Sequence, residues 1–130
     1  MKEELTIKVV INDFNEVKGH NGNARMIAFD GTVDCENFKG VIMPGGVDTQ
    51  RDYTEGQSTL SARYILDGVD REGKRCKVFI ENNGVFTPEG MKTIPTILTD
   101  SEALSYLETI KLKGTIDSWE KGVIIHIFSE

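Results

Sequence analysis

Cysteine and histidine are scarce in this 130-residue chain, with two of each. Cys35 and Cys76 stand far apart, outside any Cys-x-x-Cys or Cys/His spacing. A zinc site needs about four clustered ligands, so neither a structural metal nor a disulfide framework is expected. No apolar run approaches the roughly 20 residues of a membrane-spanning helix. Met1–Val10 begins with charges and then alternates, unlike a signal peptide. Positive charge is in deficit, with 15 Lys and Arg against 21 Asp and Glu and a formal net charge of −6. The densest basic cluster, Arg71, Lys74, Arg75 and Lys77, is offset by Asp70 and Glu72 and reads as a solvated turn. A phosphate-binding face needs a basic patch, so nucleic acid is not an expected partner. Nucleophile-elbow, zincin, P-loop and dinucleotide signatures are all missing, and no cofactor is expected. These absences leave a cytoplasmic globular protein with two reduced thiols and no membrane partner.

What the chain does have is a period of two. Leu5, Ile7, Val9 and Ile11 alternate with polar residues, which predicts a strand with one buried face. Arg25–Cys35 and Phe38–Met43, joined by Glu36 and Asn37, predict an antiparallel hairpin. Thr59–Asp67 and Lys74–Asn82 predict a second, and Thr109–Asp117 with Gly122–Phe128 a third. Pro44-Gly45-Gly46 reads as a tight turn, and Asp30-Gly31 as a bulge. One short helix is expected near residues 100–108, where Thr99-Asp100-Ser101-Glu102 fits a capping box and Ala103, Leu104 and Leu107 share a side. With 38% hydrophobic residues the chain can build a single domain, residues 1–130. Eight or nine strands with hairpin connections predict a barrel or a sandwich. Pairing of the apolar strands around Leu5–Ile11 and Val123–Phe128 would close a barrel and remove its edges.

Three segments carry a family resemblance. Gly40-Val41-Ile42-Met43-Pro44-Gly45-Gly46-Val47-Asp48, Ala62-Arg63-Tyr64 and Asn82-Asn83-Gly84-Val85 resemble, in order and spacing, the bacterial and fungal family catalogued as domain of unknown function 3237. The resemblance covers nearly the whole chain. It implies a closed, all-β antiparallel barrel of the calycin-like type, with an interior cavity and homo-oligomeric assembly, and it brings no assigned activity. Where members often carry an aromatic after the motif aspartate, this chain has Thr49 and Gln50.

Four residues stand out as candidate ligand contacts: Asp48, Arg63, Tyr64 and Asn82. Asp48 is either a carboxylate at the barrel mouth or the anchor of an Asx turn. Arg63 and Tyr64 must face opposite ways on a regular strand. The company of Leu60, Ala62 and Leu66 favours Tyr64 inward, its hydroxyl on a polar partner, with Arg63 outside against Glu81 or in an oligomer interface. An inward Arg63 would instead bind an anion. Asn82 shares a face with Val78 and Ile80, as a ligand contact or a strand-end cap. Arg25 is placed to join Asp48 at one barrel end, His126 to lie opposite the isoleucines beside it, and Trp119 to cover a mouth or an interface. Three functions fit these residues: binding of a small, largely apolar molecule; a cofactor-free isomerase, cyclase or lyase using a carboxylate and a tyrosine; or an oligomeric structural domain without a ligand.

Overall fold

The computed structural model describes residues 1–54 and 56–130. Nine strands follow one another: β1 (Lys2–Lys18), β2 (Gly22–Asp34), β3 (Phe38–Ile42), β4 (Val47–Tyr53), β5 (Ser58–Asp70), β6 (Arg75–Thr87), β7 (Gly90–Thr99), β8 (Leu112–Trp119) and β9 (Gly122–Ser129). All pairings are antiparallel, and β1 pairs with both β2 and β9, so the sheet closes on itself. The closing pairs set Leu5 opposite Ile127 and Val9 opposite Val123, the contact anticipated from the two apolar ends of the chain. Sandwich is excluded.

The proline-glycine stretch does not turn the chain back. β3 and β4 both run antiparallel to β2 on one side and to β5 on the other. They are two halves of one wall position, and the wall has eight positions. Pro44 and Gly45 make a short excursion between the halves, with Gly45 at φ +105°, a conformation that glycine alone adopts without strain. Gly46 then passes under the Phe29 ring, where a Cβ would sit 3.1 Å from Phe29 Cε2. The motif thus interrupts a strand, makes room for an aromatic ring and delivers Asp48 facing inward.

The ends differ. The β1–β2, β4–β5, β6–β7 and β8–β9 connections lie at one end, and both chain termini with the 100–111 segment lie at the other. That second end is plugged by Leu104 and Leu107, both buried. The expected helix is only a 3₁₀ turn, Ser105–Glu108. Leu104 and Leu107 are three residues apart, the spacing at which side chains stack in a 3₁₀ turn, and two apolar anchors hold no longer helix. The 3₁₀ turn has no side-chain cap; Ser101, not Thr99, closes the turn ahead of it, accepting from the Leu104 amide at 3.2 Å and donating to Asp70 Oδ2 at 2.7 Å. Arg71 also leaves its supposed solvated turn, reaching the Ala103 carbonyl at 3.0 Å and clamping the plug.

Candidate functional site

Cross-strand register sets rows of residues around the inner wall. One row runs Ile27, Asp48, Ala62, Asn82, Pro95. The next row toward the open end runs Arg25, Gln50, Leu60, Gly84, Thr93, Gly114. In the first, the small Ala62 separates two polar side chains, and the space above it is a cavity of about 110 Å³. Its walls are apolar, with Phe29, Leu60, Met91 and Ile125 prominent, and its polar lining is Asp48, Gln50 and Asn82. Gly114 keeps this region open: a Cβ there would lie 2.5 Å from Thr93 Oγ1 and 3.6 Å from Asn82 Nδ2.

Two oxygens in that lining are buried without a hydrogen-bond partner among the described residues, Asp48 Oδ1 and Asn82 Oδ1. Asn82 is only 1% exposed. Buried polar atoms are nearly always paired, because leaving one unpaired costs about 1–3 kcal/mol. Two such atoms on one cavity mark it as more than a packing defect. Burial pushes the Asp48 carboxyl above its ordinary value, against the pull of the Gln50 amide, the Ser61 backbone and the more distant Arg25 charge. A polar chain leads to it from the mouth. Arg25 Nη2 donates to Gln50 Oε1 at 3.3 Å, and Gln50 Nε2 donates to Asp48 Oδ2 at 3.0 Å. Arg25 also pairs with Glu16 at 3.0 Å and Asp52 at 3.2 Å. The anticipated meeting of Arg25 and Asp48 is therefore indirect. Gln50 is the residue the sequence reading passed over, although it stands two positions from Asp48 and so on the same strand face.

The other two candidates separate from the cavity. Arg63 is on the outer wall, its Nε 2.5 Å from Glu81 Oε2, so it does not contact a molecule held inside the barrel. Tyr64 does point inward and is buried, edge-on to Phe29 with ring centroids 5.4 Å apart. It stands in the same row as Phe29, one row toward the plug from Ala62, and outside the cavity lining. Its hydroxyl lacks the expected polar partner among the described residues, and burial pushes its pKa up. Trp119 covers neither mouth nor cavity: it lies against the outer wall, its Nε1 donating to the Val9 carbonyl at 2.8 Å under the Lys8 ammonium.

His126 is also outside, between two carboxylates, with Nδ1 2.7 Å from Glu3 Oε2 and Nε2 2.9 Å from Asp117 Oδ2. The bond to Glu3 leads, with Asp117 adding, in raising its pKa above 6.5. The raised value means that this pairing stabilises the fold fully at pH below the unfolded histidine value and ceases to as pH rises through the folded one. The half-exposed setting limits the effect to about 0.2–1 kcal/mol. Titration of the His126 ring protons by NMR is expected to give a midpoint above 6.5 that Asp117→Asn moves down. A midpoint at or below 6.5 would contradict the bracketed geometry.

Residues 2–112 match the family described as "Protein of unknown function (DUF3237)". A UPF0311 protein of Clostridium acetobutylicum is 32% identical over 100 residues, 75% of this chain and 61% of the relative. This chain thus spans about three-fifths of that relative's length. Among solved structures, a protein of unknown function from Clostridium acetobutylicum ATCC 824 superposes with a TM-score of 0.82 at 24% identity, covering 98% of this chain and 96% of the other. A conserved protein of unknown function from Rhodopseudomonas palustris gives 0.79 at 22% identity, over 97% and 93%. A β-barrel-like protein from Acinetobacter baumannii AYE gives 0.72 at 19% identity, over 98% and 94%. At these identities the superpositions bear on fold alone.

Proposed function

Since the chain belongs to the DUF3237 family of proteins of unknown function, we propose its role from the barrel interior itself: it binds a small, largely apolar molecule at the open end, above Phe29. The observation that carries this reading is the apolar cavity whose lining holds two unpartnered buried oxygens. Pockets for drug-sized ligands measure about 300–1,000 Å³, and an apolar cavity of about 150 Å³ accepts benzene. The 110 Å³ therefore suits about four heavy atoms on that scale, with any remainder of the ligand projecting through the mouth past Phe14. The carboxylate–tyrosine enzyme is less well supported, because the Tyr64 hydroxyl lies outside the cavity that holds Asp48. Two free thiols fit a reducing compartment, the cytoplasm. No helix among the described residues is long and apolar enough to cross a membrane.

The test is to titrate xenon and cyclopentanol while following the side-chain methyl signals of Ile27 and Ile125 by NMR. Shifts confined to this end of the barrel are expected. Ala62→Leu, which puts a branched side chain into the cavity, is expected to weaken the response at least about tenfold while the fold persists, since filling a cavity avoids most overpacking strain. Unmoved methyls in the unmodified protein would defeat the reading.

A further inference from the structure

Among the described residues, the two polar atoms of this lining that are buried without a partner are both acceptors, and that restricts what the cavity takes. Gln50 Nε2 already donates to Asp48 Oδ2 at 3.0 Å. Asp48 Oδ1 and Asn82 Oδ1 belong to residues that line the same space and have no partner among the described residues. Charge points the same way. On the inner face of β1, β2 and β4 toward the mouth stand three carboxylates, Glu16, Asp48 and Asp52, and two cations, Arg25 and, at the exposed end of β1, Lys18. Arg25 is committed to Glu16 and Asp52 by direct ion pairs and meets Asp48 only through Gln50. An ionised Asp48 is thus left without a contacting counter-charge in an apolar cavity, where an unpaired carboxylate is costly.

Resting on the cavity reading above, we propose that the ligand carries a protonated primary amine, held by Asp48 Oδ1 and Asn82 Oδ1, on a short aliphatic or alicyclic body that packs against Phe29, Leu60 and Ile125. Register places Asp48 and Asn82 two strands apart, on either side of Ala62. Their Cα atoms are therefore roughly 10 Å apart along the wall, and inward-pointing side chains converge from there. An ammonium has three donor hydrogens, enough to serve both oxygens. A carboxylate or phosphate ligand has none, and would meet Asp48 as a like charge.

The experiment compares three probes that share an isopropyl body on the unmodified protein at neutral pH: isobutylamine, isobutanol and isobutyrate, each titrated against the Ile27 and Ile125 methyl signals. The amine is expected to bind about tenfold or more tightly than the alcohol, as charge-assisted hydrogen bonds allow, and isobutyrate to leave the methyls unmoved. Asp48→Asn is expected to bring the amine down to the alcohol's affinity, and Asn82→Leu to weaken it several-fold. If the alcohol or isobutyrate equals or exceeds the amine, the inference is overturned and the cavity still stands as a binding site. If the amine's advantage survives Asp48→Asn, the assignment of the head group to Asp48 is overturned. If no probe, xenon included, moves the methyls, the cavity reading falls and this inference with it. The probe series needs no variant, so it decides the matter even where a substitution impairs folding.

Discussion

Replacing Glu4 by alanine is expected to lower the unfolding free energy by about 3–5 kcal/mol, because it removes three hydrogen bonds to a charged group, each worth about 1.5–3 kcal/mol before the site relaxes. Glu4 is buried at the plugged end, where its carboxylate joins four segments. Oε1 accepts from Tyr106 Oη at 2.6 Å and Asn37 Nδ2 at 3.0 Å, and Oε2 accepts from Ser129 Oγ at 2.6 Å. Truncation takes the carboxylate from all three donors and leaves Asn37 Nδ2 its bond to the Glu4 carbonyl at 3.0 Å and Ser129 Oγ a 3.4 Å contact with the Lys2 carbonyl, whereas Glu4→Gln keeps the shape and an acceptor. The glutamine variant is therefore expected to lose only about 1–2 kcal/mol. Burial alone would raise the Glu4 carboxyl, but the Ser129 and Tyr106 hydroxyls, the Lys2 charge and the Asn37 amide together hold it below 4.5. A depressed acid stabilises the fold above its unfolded value and loses that contribution as pH falls through the folded one. The gap between the native protein and Glu4→Gln should accordingly narrow in acid. Urea unfolding at pH 7 and at pH 3–4 measures both effects; equal stability of Glu4→Ala and the native protein at pH 7 would remove Glu4 from the fold's foundations.

Phe38→Ala is expected to cost about as much, 3–5 kcal/mol, and Phe14→Ala within about 0.5 kcal/mol of nothing. Phe38 is 0% exposed, the largest fully buried side chain, packed beneath the plug. Against a typical total stability of about 5–15 kcal/mol, losing its contacts and leaving a cavity endangers the folded state at 37 °C. Phe14 stands opposite Ile27 on β1 and so faces the inner side, yet it is 57% exposed because it lies beyond the barrel wall at the open mouth. Its loss is expected to weaken binding of a ligand that projects from the cavity more than it affects melting. Parallel thermal melts of the two variants check the contrast. A Phe14→Ala melting point as low as that of Phe38→Ala would mean that the mouth is packed shut.

Much of the site was legible before the fold was known, because the direction of a side chain on a strand is a local property. Alternation set Arg63 and Tyr64 on opposite faces, with the apolar company of Tyr64 favouring it inside, and put Asn82 on the face of Val78 and Ile80, and the interruption at Pro44–Gly46 pointed to Asp48. The same rule, applied two residues further, would have included Gln50. It failed at Glu4, where the register shifts between Glu3 and Leu5. A bulge turns two consecutive residues toward one face, so an acid that alternation assigns to solvent is buried beside Leu5.

The sequence by itself determined the class of this protein: an antiparallel all-β wall, its inner and outer faces, and the two apolar terminal strands that close it. Periodicity carries that information because each residue's facing depends only on its neighbours. The tertiary structure alone decided which end is plugged and which open, that β3 and β4 share one wall position, and that Asp48 and Asn82 flank Ala62 on one cavity while Tyr64 stays outside its lining. These are consequences of register between strands distant in the chain, which is set by the closure of the whole barrel and by no segment of it.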